Sequence, residues 1–475
     1  MTDNVTSDTP AYRVRRIASL ALPITVGQLA IIGMSVTDII VAGRVSTDDL
    51  AAVSLGSAIF NLSIMLVIGI MLGNGPLIGQ LYGAGDVSGM RRQFQSALKL
   101  AAPLGVLAAL CIALGMLILP SLDTSHAVRD LTLAYLLPML GTAFLLPYMM
   151  AFRTSFESIG HARVAMVFNA LGFLLNIPLD LALVFGWWKL PALGATGCGW
   201  ATLLVSIFIV ISSYLYTRLS TTLAVFHLLL RDQKIFWKDC RETLKVGLPI
   251  GGAILAEGGF FLIIPLFIAH LGATVVSGHS IAISVDWMMF MVPMGISQAI
   301  AVLVAHQMGQ RAATGARDIA STGIAFAAAI ALLQALVVII FREQISAWFS
   351  PDQAVRDLAS LLLVYAAAFR VFDAINVCGN GALRGYKDTR ITVILAVIAY
   401  WILGFPLSYS LALTNLWGPM RGVEGFWIGM IITLIIISIL TTLRVRFTAR
   451  RTIASAVRQV EELKPPAWHS GHGSL

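Results

Sequence analysis

Charge is scarce in this chain. Asp, Glu, Lys and Arg make up 12% of its 475 residues, about half the ~25% of an ordinary soluble domain. So few charges cannot cover a surface that meets water on every side, which excludes a soluble globular protein. Cysteine is nearly as rare. Cys111, Cys198, Cys240 and Cys378 are scattered, with no CxxC, no Cys/His cluster and no HExxH, so neither a disulfide framework nor a zinc site is expected. Residues 1–10 are polar and lack the basic-then-apolar order of a cleavable leader, so the first apolar segment is expected to stay in the membrane. Sizeable polar loops are missing from one side, where residues 271–278 carry no charge at all. That leaves little room for the active site of a membrane-embedded transferase, and no enzyme is expected.

What is present is apolar. Hydrophobic residues form 58% of the chain and mean hydropathy is +0.86. They fall in runs of roughly 20, the length that crosses ~30 Å of hydrocarbon as a helix. Twelve spans are predicted: 17–41, 54–80, 97–119, 131–152, 164–186, 196–217, 245–270, 279–304, 318–341, 357–379, 391–413 and 424–444. The expected fold is therefore an all-α integral membrane protein. Of the 32 Lys and Arg, 25 lie on the side that holds both termini, six lie on the other, and Arg370 lies within a span. The positive-inside rule puts both termini in the cytoplasm. The net charge of +8 is mostly this asymmetry, so no nucleic-acid partner is expected.

The chain matches itself at an offset of 226 residues. Leu22-Pro23-Ile24 falls on Leu248-Pro249-Ile250, Gly69-Ile70 on Gly295-Ile296, and Gly83 on Gly309; Arg163 falls on Arg390 at 227, and Pro178 on Pro406 at 228. Each half then holds six spans, an even number, so the two six-helix bundles form a parallel repeat about an axis along the membrane normal. The predicted division is an N-lobe (1–225), a C-lobe (226–445) and a basic cytoplasmic tail (446–475), in a V-shaped transporter. The segment 218–245, with Arg231, Asp232, Lys234, Lys238 and Asp239, is the expected linker. In the tail, Ile453, Val457 and Val460 recur at helical spacing. They suit either an amphipathic helix on anionic membrane lipids or a solvated helix.

Against this background a few carboxylates stand out, because a charge at bilayer depth costs about 2.5–3.5 kcal/mol and is retained for a purpose. Asp38 ends the first span, fifteen residues after Pro23, which is expected to kink it; the alternative is an interfacial Asp that reaches water. Asn176 and Asp180 lie one turn apart on the fifth span and suit either a small cation or an interhelical hydrogen bond, with Thr202 of the next span able to add a hydroxyl. Glu257 falls close to the midplane, where it cannot reach water. Asp373 has Arg370 three residues before it, so an ion pair that neutralises both is the competing role. Asp286, in the run Trp287-Met288-Met289-Phe290-Met291, is better read as ordinary packing, since these residues cover all sides of a helix.

The run Thr37-Asp38-Ile39-Ile40-Val41-Ala42-Gly43, followed by Asp49-Leu50-Ala51-Ala52-Val53, resembles the multidrug and toxic compound extrusion (MATE) transporters. So do Gly79-Gln80-Leu81-Tyr82-Gly83-Ala84-Gly85 and Leu383-Arg384-Gly385-Tyr386-Lys387-Asp388-Thr389, while Glu257 with Asp373 looks like the acidic pair of the bacterial NorM-type branch. The resemblance spans roughly residues 10–445. It implies a secondary active antiporter in the bacterial inner membrane that exports lipophilic cationic and zwitterionic drugs and dyes in exchange for H⁺ and/or Na⁺. No other cofactor is implied, and a monomer is expected. One cation-linked site would comprise Asp38, Asn176, Asp180 and Thr202, and a second Glu257 and Asp373, so Na⁺ would sit at either set. Phe369 stands where NorM-type proteins can carry a tyrosine, leaving a ring face but no hydroxyl. With Arg370 beside it, this favours H⁺ over Na⁺ at the second site. The alternative within the same superfamily is a lipid-linked precursor flippase, which would favour a cationic cavity for a pyrophosphate head group.

Overall fold

The computed structural model describes residues 9–121, 125–187, 191–224, 228–229 and 237–462. Of the expected linker, Arg231, Asp232 and Lys234 lie outside the described residues, as do the side chains of Lys238, Asp239 and Val460. Among the described residues, twelve helices are long and apolar enough to cross a membrane: α1 (Pro10–Gly43), α2 (Thr47–Gly83), α3 (Val87–Ser121), α4 (His126–Ser158), α5 (Ala162–Phe185), α6 (Ala195–Leu219), α7 (Cys240–Leu271), α8 (Ala273–Gly309), α9 (Ala313–Phe349), α10 (Gln353–Gly385), α11 (Arg390–Leu413) and α12 (Gly422–Glu462). Each overlies one expected span.

Local chemistry sets the ends. Ser46 Oγ accepts from Asp49 N (3.0 Å) at the start of α2, Asp86 Oδ1 from Gly89 N (2.8 Å) at α3, and Asp352 Oδ1 from Ala354 N (2.8 Å) at α10. Each satisfies a first-turn N–H that the helix leaves unpaired. Gly186 closes α5 with φ 73°, a conformation that glycine adopts without strain. α1 runs through Pro23 without interruption. α2 instead breaks at Gly73 into Thr47–Leu72 and Asn74–Gly83, a break the hydropathy does not reveal. In α11, residues Val397–Gly404 widen into a π-helix just before Pro406, whose missing N–H leaves a carbonyl of the preceding turn without its partner.

The repeat is visible in the packing. Gly69 of α2 lies against Gly251 of α7; its mate Gly295 of α8 lies against Thr25 of α1, the mate of Gly251. Gly83 meets the backbone of His306, and Gly309 meets that of Gln80. Contacts that recur with their partners exchanged are the mark of a two-fold axis. A Cβ at any of these five glycines would run into its neighbour, so glycine is what lets the bundles touch. Cross-lobe bonds gather in the half that carries the termini: Gln93 Nε2 to Thr243 Oγ1 (2.8 Å), Gln80 Nε2 to Gly385 O (3.0 Å), Arg153 Nη2 to Gln298 Oε1 (3.0 Å), and His306 Nε2 with Ser158 O (2.6 Å). The two bundles thus form a V with its apex at that face.

In the described part of the basic tail α12 continues without a break to Glu462, and Arg444 Nε and Thr448 Oγ1 both donate to Asp388 Oδ2 (2.8 and 2.6 Å) in the turn after α10. Those bonds hold the extension against the bundle.

Candidate functional site

Two acid clusters lie inside the bundles. In the N-lobe, Asp38 is 4% exposed and Asn176 and Asp180 are fully buried. The helical register of α5 puts Asn176 and Asp180 on one face, and α1 places Asp38 opposite them. Thr202 Oγ1 of α6 donates to Asp38 Oδ2 (3.1 Å), and Cys198 Sγ donates to Asp38 O (3.6 Å). One oxygen each of Asp38 and Asp180 and the sulfur of Cys198 lie within 4.8 Å of one another. Beyond the Thr202 bond the cluster is open: Asp38 Oδ1, both oxygens of Asp180 and both amide atoms of Asn176 have no hydrogen-bond partner. Burial removes the interfacial role considered for Asp38.

The C-lobe cluster is built differently. Arg370, 1% exposed, stands between two acids. Its Nη1 donates to Asp373 Oδ2 (2.5 Å), its Nε to Asp286 Oδ1 (3.0 Å) and its Nη2 to Asp286 O (3.1 Å), with Nη2 also paired to Asp286 Oδ2. The i,i+3 pair with Asp373 therefore forms, but the same guanidinium is shared with a second helix. Asp286 is not a packing residue, as its Met-rich surroundings suggested; it is the anchor of Arg370. The guanidinium carbon lies 5.2 Å from the Phe290 ring centre and 5.7 Å from that of Phe369, a cation–π arrangement on two faces. Phe369 in turn packs edge-on to Phe261 and Trp427.

Glu257 receives a bond the sequence did not foretell. Tyr400 OH of α11 donates to Glu257 Oε1 (2.9 Å), and Asn376 Nδ2 donates to Tyr400 OH (3.4 Å). Thr441 Oγ1 donates to Asn376 Oδ1 (3.1 Å) and fixes the amide. The phenol expected to be missing at Phe369 is thus supplied by another helix. Arg370 pairs with Asp286 and Asp373, and Glu257 feels the charges of Arg370 and Arg384, two guanidiniums for three carboxylates, so the cluster remains short of positive charge.

The comparisons agree with this architecture. The family model described as MatE matches residues 23–182 and again 249–410, and the second match begins 226 residues after the first. The multidrug resistance protein PmpM of Pseudomonas aeruginosa is 36% identical, over 95% of this chain and 94% of its own. A probable multidrug resistance protein NorM of Pasteurella multocida is 33% identical, over 96% and 99%. Among solved structures, an outward-facing MATE family transporter superposes with a TM-score of 0.81 at 21% identity, covering 92% of this chain and 96% of its own. The eukaryotic MATE transporter AtDTX14 superposes with 0.84 at 17%, covering 94% and 99%. The family model falls once on each six-helix bundle and the relatives are similar from end to end, so the chain belongs to the MatE family and is a membrane transporter, not an enzyme.

Proposed function

We propose that this transporter is a secondary active antiporter that exports lipophilic organic cations and zwitterions across a bacterial inner membrane, with both termini cytoplasmic. The single observation that carries this reading is that each lobe buries acids without enough positive charge to match them. Asp38 and Asp180 have no basic partner, and three carboxylates of the C-lobe face two guanidiniums, Arg370 and Arg384. A proton, a small cation or a cationic drug would each relieve that imbalance, and ligands that compete for one charge are thermodynamically coupled. Relatives named as multidrug resistance proteins support drugs as the substrate class. A flippase for a pyrophosphate-bearing lipid would be served by basic clusters, and these are acidic.

The coupling ion proposed is mainly H⁺. Arg370, held in place by Asp286, puts a fixed cation beside Asp373, where Na⁺ would need a full set of oxygens. Tyr400 adds an oxygen at Glu257, and the N-lobe oxygens suit Na⁺ better, so Na⁺ is expected to assist rather than drive. Ethidium or DAPI movement in inverted vesicles tests this, first under a pH gradient and then under a Na⁺ gradient. Transport driven by the pH gradient alone is expected. Transport that needs Na⁺ and ignores the pH gradient would overturn the ion assignment, and protection against anionic compounds only would overturn the substrate class.

A further inference from the structure

The N-lobe cluster contains one group that neither a proton nor a drug requires. Cys198 lies on α6, fully buried, with its sulfur inside the same 4.8 Å set as the oxygens of Asp38 and Asp180. The neighbouring Asn176 is fully buried, shares the face of Asp180 and leaves its amide oxygen unpartnered. Two carboxylates, an amide oxygen and a thiol make a mixed hard and soft donor set. Alkali ions have no use for sulfur, whereas thiolate selects thiophilic metals. We infer that Asp38, Asp180 and Cys198, with Asn176 as the fourth donor, form a binding site for a thiophilic divalent cation of the Zn²⁺ or Cd²⁺ class.

The dimensions allow it. A four-coordinate Zn²⁺ has bonds of about 2.0–2.3 Å, so its ligand atoms stand roughly 3.5 Å apart. Drawing in a set within 4.8 Å takes side-chain rotation of about 1 Å. The S–H bond of Cys198 breaks as the metal–sulfur bond forms. Its proton passes to a carboxylate and then to solvent as that carboxylate becomes a ligand. The thiolate and the two carboxylates together outweigh the charge of the ion, so no further counter-ion is needed. Bound there, the metal would occupy the oxygens proposed for coupling, and efflux would be blocked.

Cadmium is the probe, since thiolate ligation gives an ultraviolet charge-transfer band. Titrating the detergent-purified full chain with Cd²⁺ should produce that band at one equivalent. X-ray absorption should find one sulfur with oxygen or nitrogen neighbours around the metal. Cys198→Ala should abolish the band and Cys111→Ser should keep it. Asp180→Asn should weaken binding by roughly tenfold or more. A band that survives in Cys198→Ala, or an absorption spectrum showing oxygen ligands alone, would overturn the inference. The inference shares residues with the antiport reading but is measured with no gradient and no drug, so the failure of one is distinguishable from the failure of the other.

Discussion

The two acid clusters answer the same problem, negative charge at membrane depth, in opposite ways. The N-lobe leaves Asp38 and Asp180 without a protein cation and gives Asp38 one hydroxyl bond from Thr202. The C-lobe supplies its own cation, Arg370, pins it with Asp286, and orients Glu257 with Tyr400. They also differ in depth. Asp38 lies five residues from the far end of α1, about 8 Å, whereas Glu257 lies fourteen from the far end of α7, about 21 Å. Nor do they occupy equivalent positions: the 226-residue mate of Asp38 is Ile264, and that of Ile31 is Glu257. The repeat copied the scaffold, and each lobe placed its charges independently. The N-lobe set is therefore ready for a cation from outside, while the C-lobe set is already partly neutralised and poised around an internal one.

The largest effects that test this contrast are on transport. Asp38→Asn and Glu257→Gln should each reduce gradient-driven dye efflux to the background of empty vesicles while the protein remains in the membrane at its normal level. Wild-type rates in either variant would remove that cluster from the coupling path.

Stability should separate the lobes next. Asp286→Ala leaves a buried guanidinium with a single acid, and breaking such a pair costs about 3–5 kcal/mol. Asp180→Asn removes a buried charge that has no basic partner, so it should leave thermal unfolding unchanged or raise its midpoint. Equal losses in the two purified variants would show that the clusters are alike after all. Tyr400→Phe is a smaller perturbation. It deletes one hydrogen bond to a charged acceptor, worth about 1.5–3 kcal/mol, and should shift the ion concentration for half-maximal efflux about tenfold or more. Thr202→Val is its N-lobe counterpart, and an effect confined to Thr202→Val would invert the ranking.

The smallest effect lies outside the membrane. Burial alone would raise the Asp388 carboxyl, but hydrogen bonds from Arg444 and Thr448 and the charge of Arg444 outweigh it and hold the carboxyl below the usual carboxylate range. A depressed carboxyl stabilises the fold at all pH above its ordinary value near ~3.9 and ceases to do so as pH falls through its lowered one. The docked extension of α12 should therefore stay protected from proteolysis and hydrogen exchange at neutral pH and loosen only in strong acid. Asp388→Asn should loosen it at neutral pH.

Length and hydropathy carried the twelve spans, and the 226-residue offset carried the two-fold relation, because both are periodic and local. Asn176 with Asp180, and Arg370 with Asp373, were legible for the same reason: helical spacing puts each pair on one face. Tyr400 was not legible. It sits in an apolar run, and its partner Glu257 is 143 residues away, so nothing in either neighbourhood points to the other. Asp286 was misread because the Met residues around it point in every direction, and its anchoring role exists only through a side chain from α10. Cys198 gives no signal in sequence at all; only the folded N-lobe brings its sulfur to the acids.

The π-helical stretch of α11 has a history written in the repeat. The offset between the halves is 227 residues at Arg163 and Arg390 and 228 at Pro178 and Pro406. Val397–Gly404 lies between the two later landmarks, whereas α5 passes the same stretch as an ordinary α-helix. The two helices have the same length, 24 residues, and Tyr400 rides on the wider turn of α11. The wider turn thus marks where the C-lobe departs from the N-lobe, and it is there that a phenol reaches Glu257.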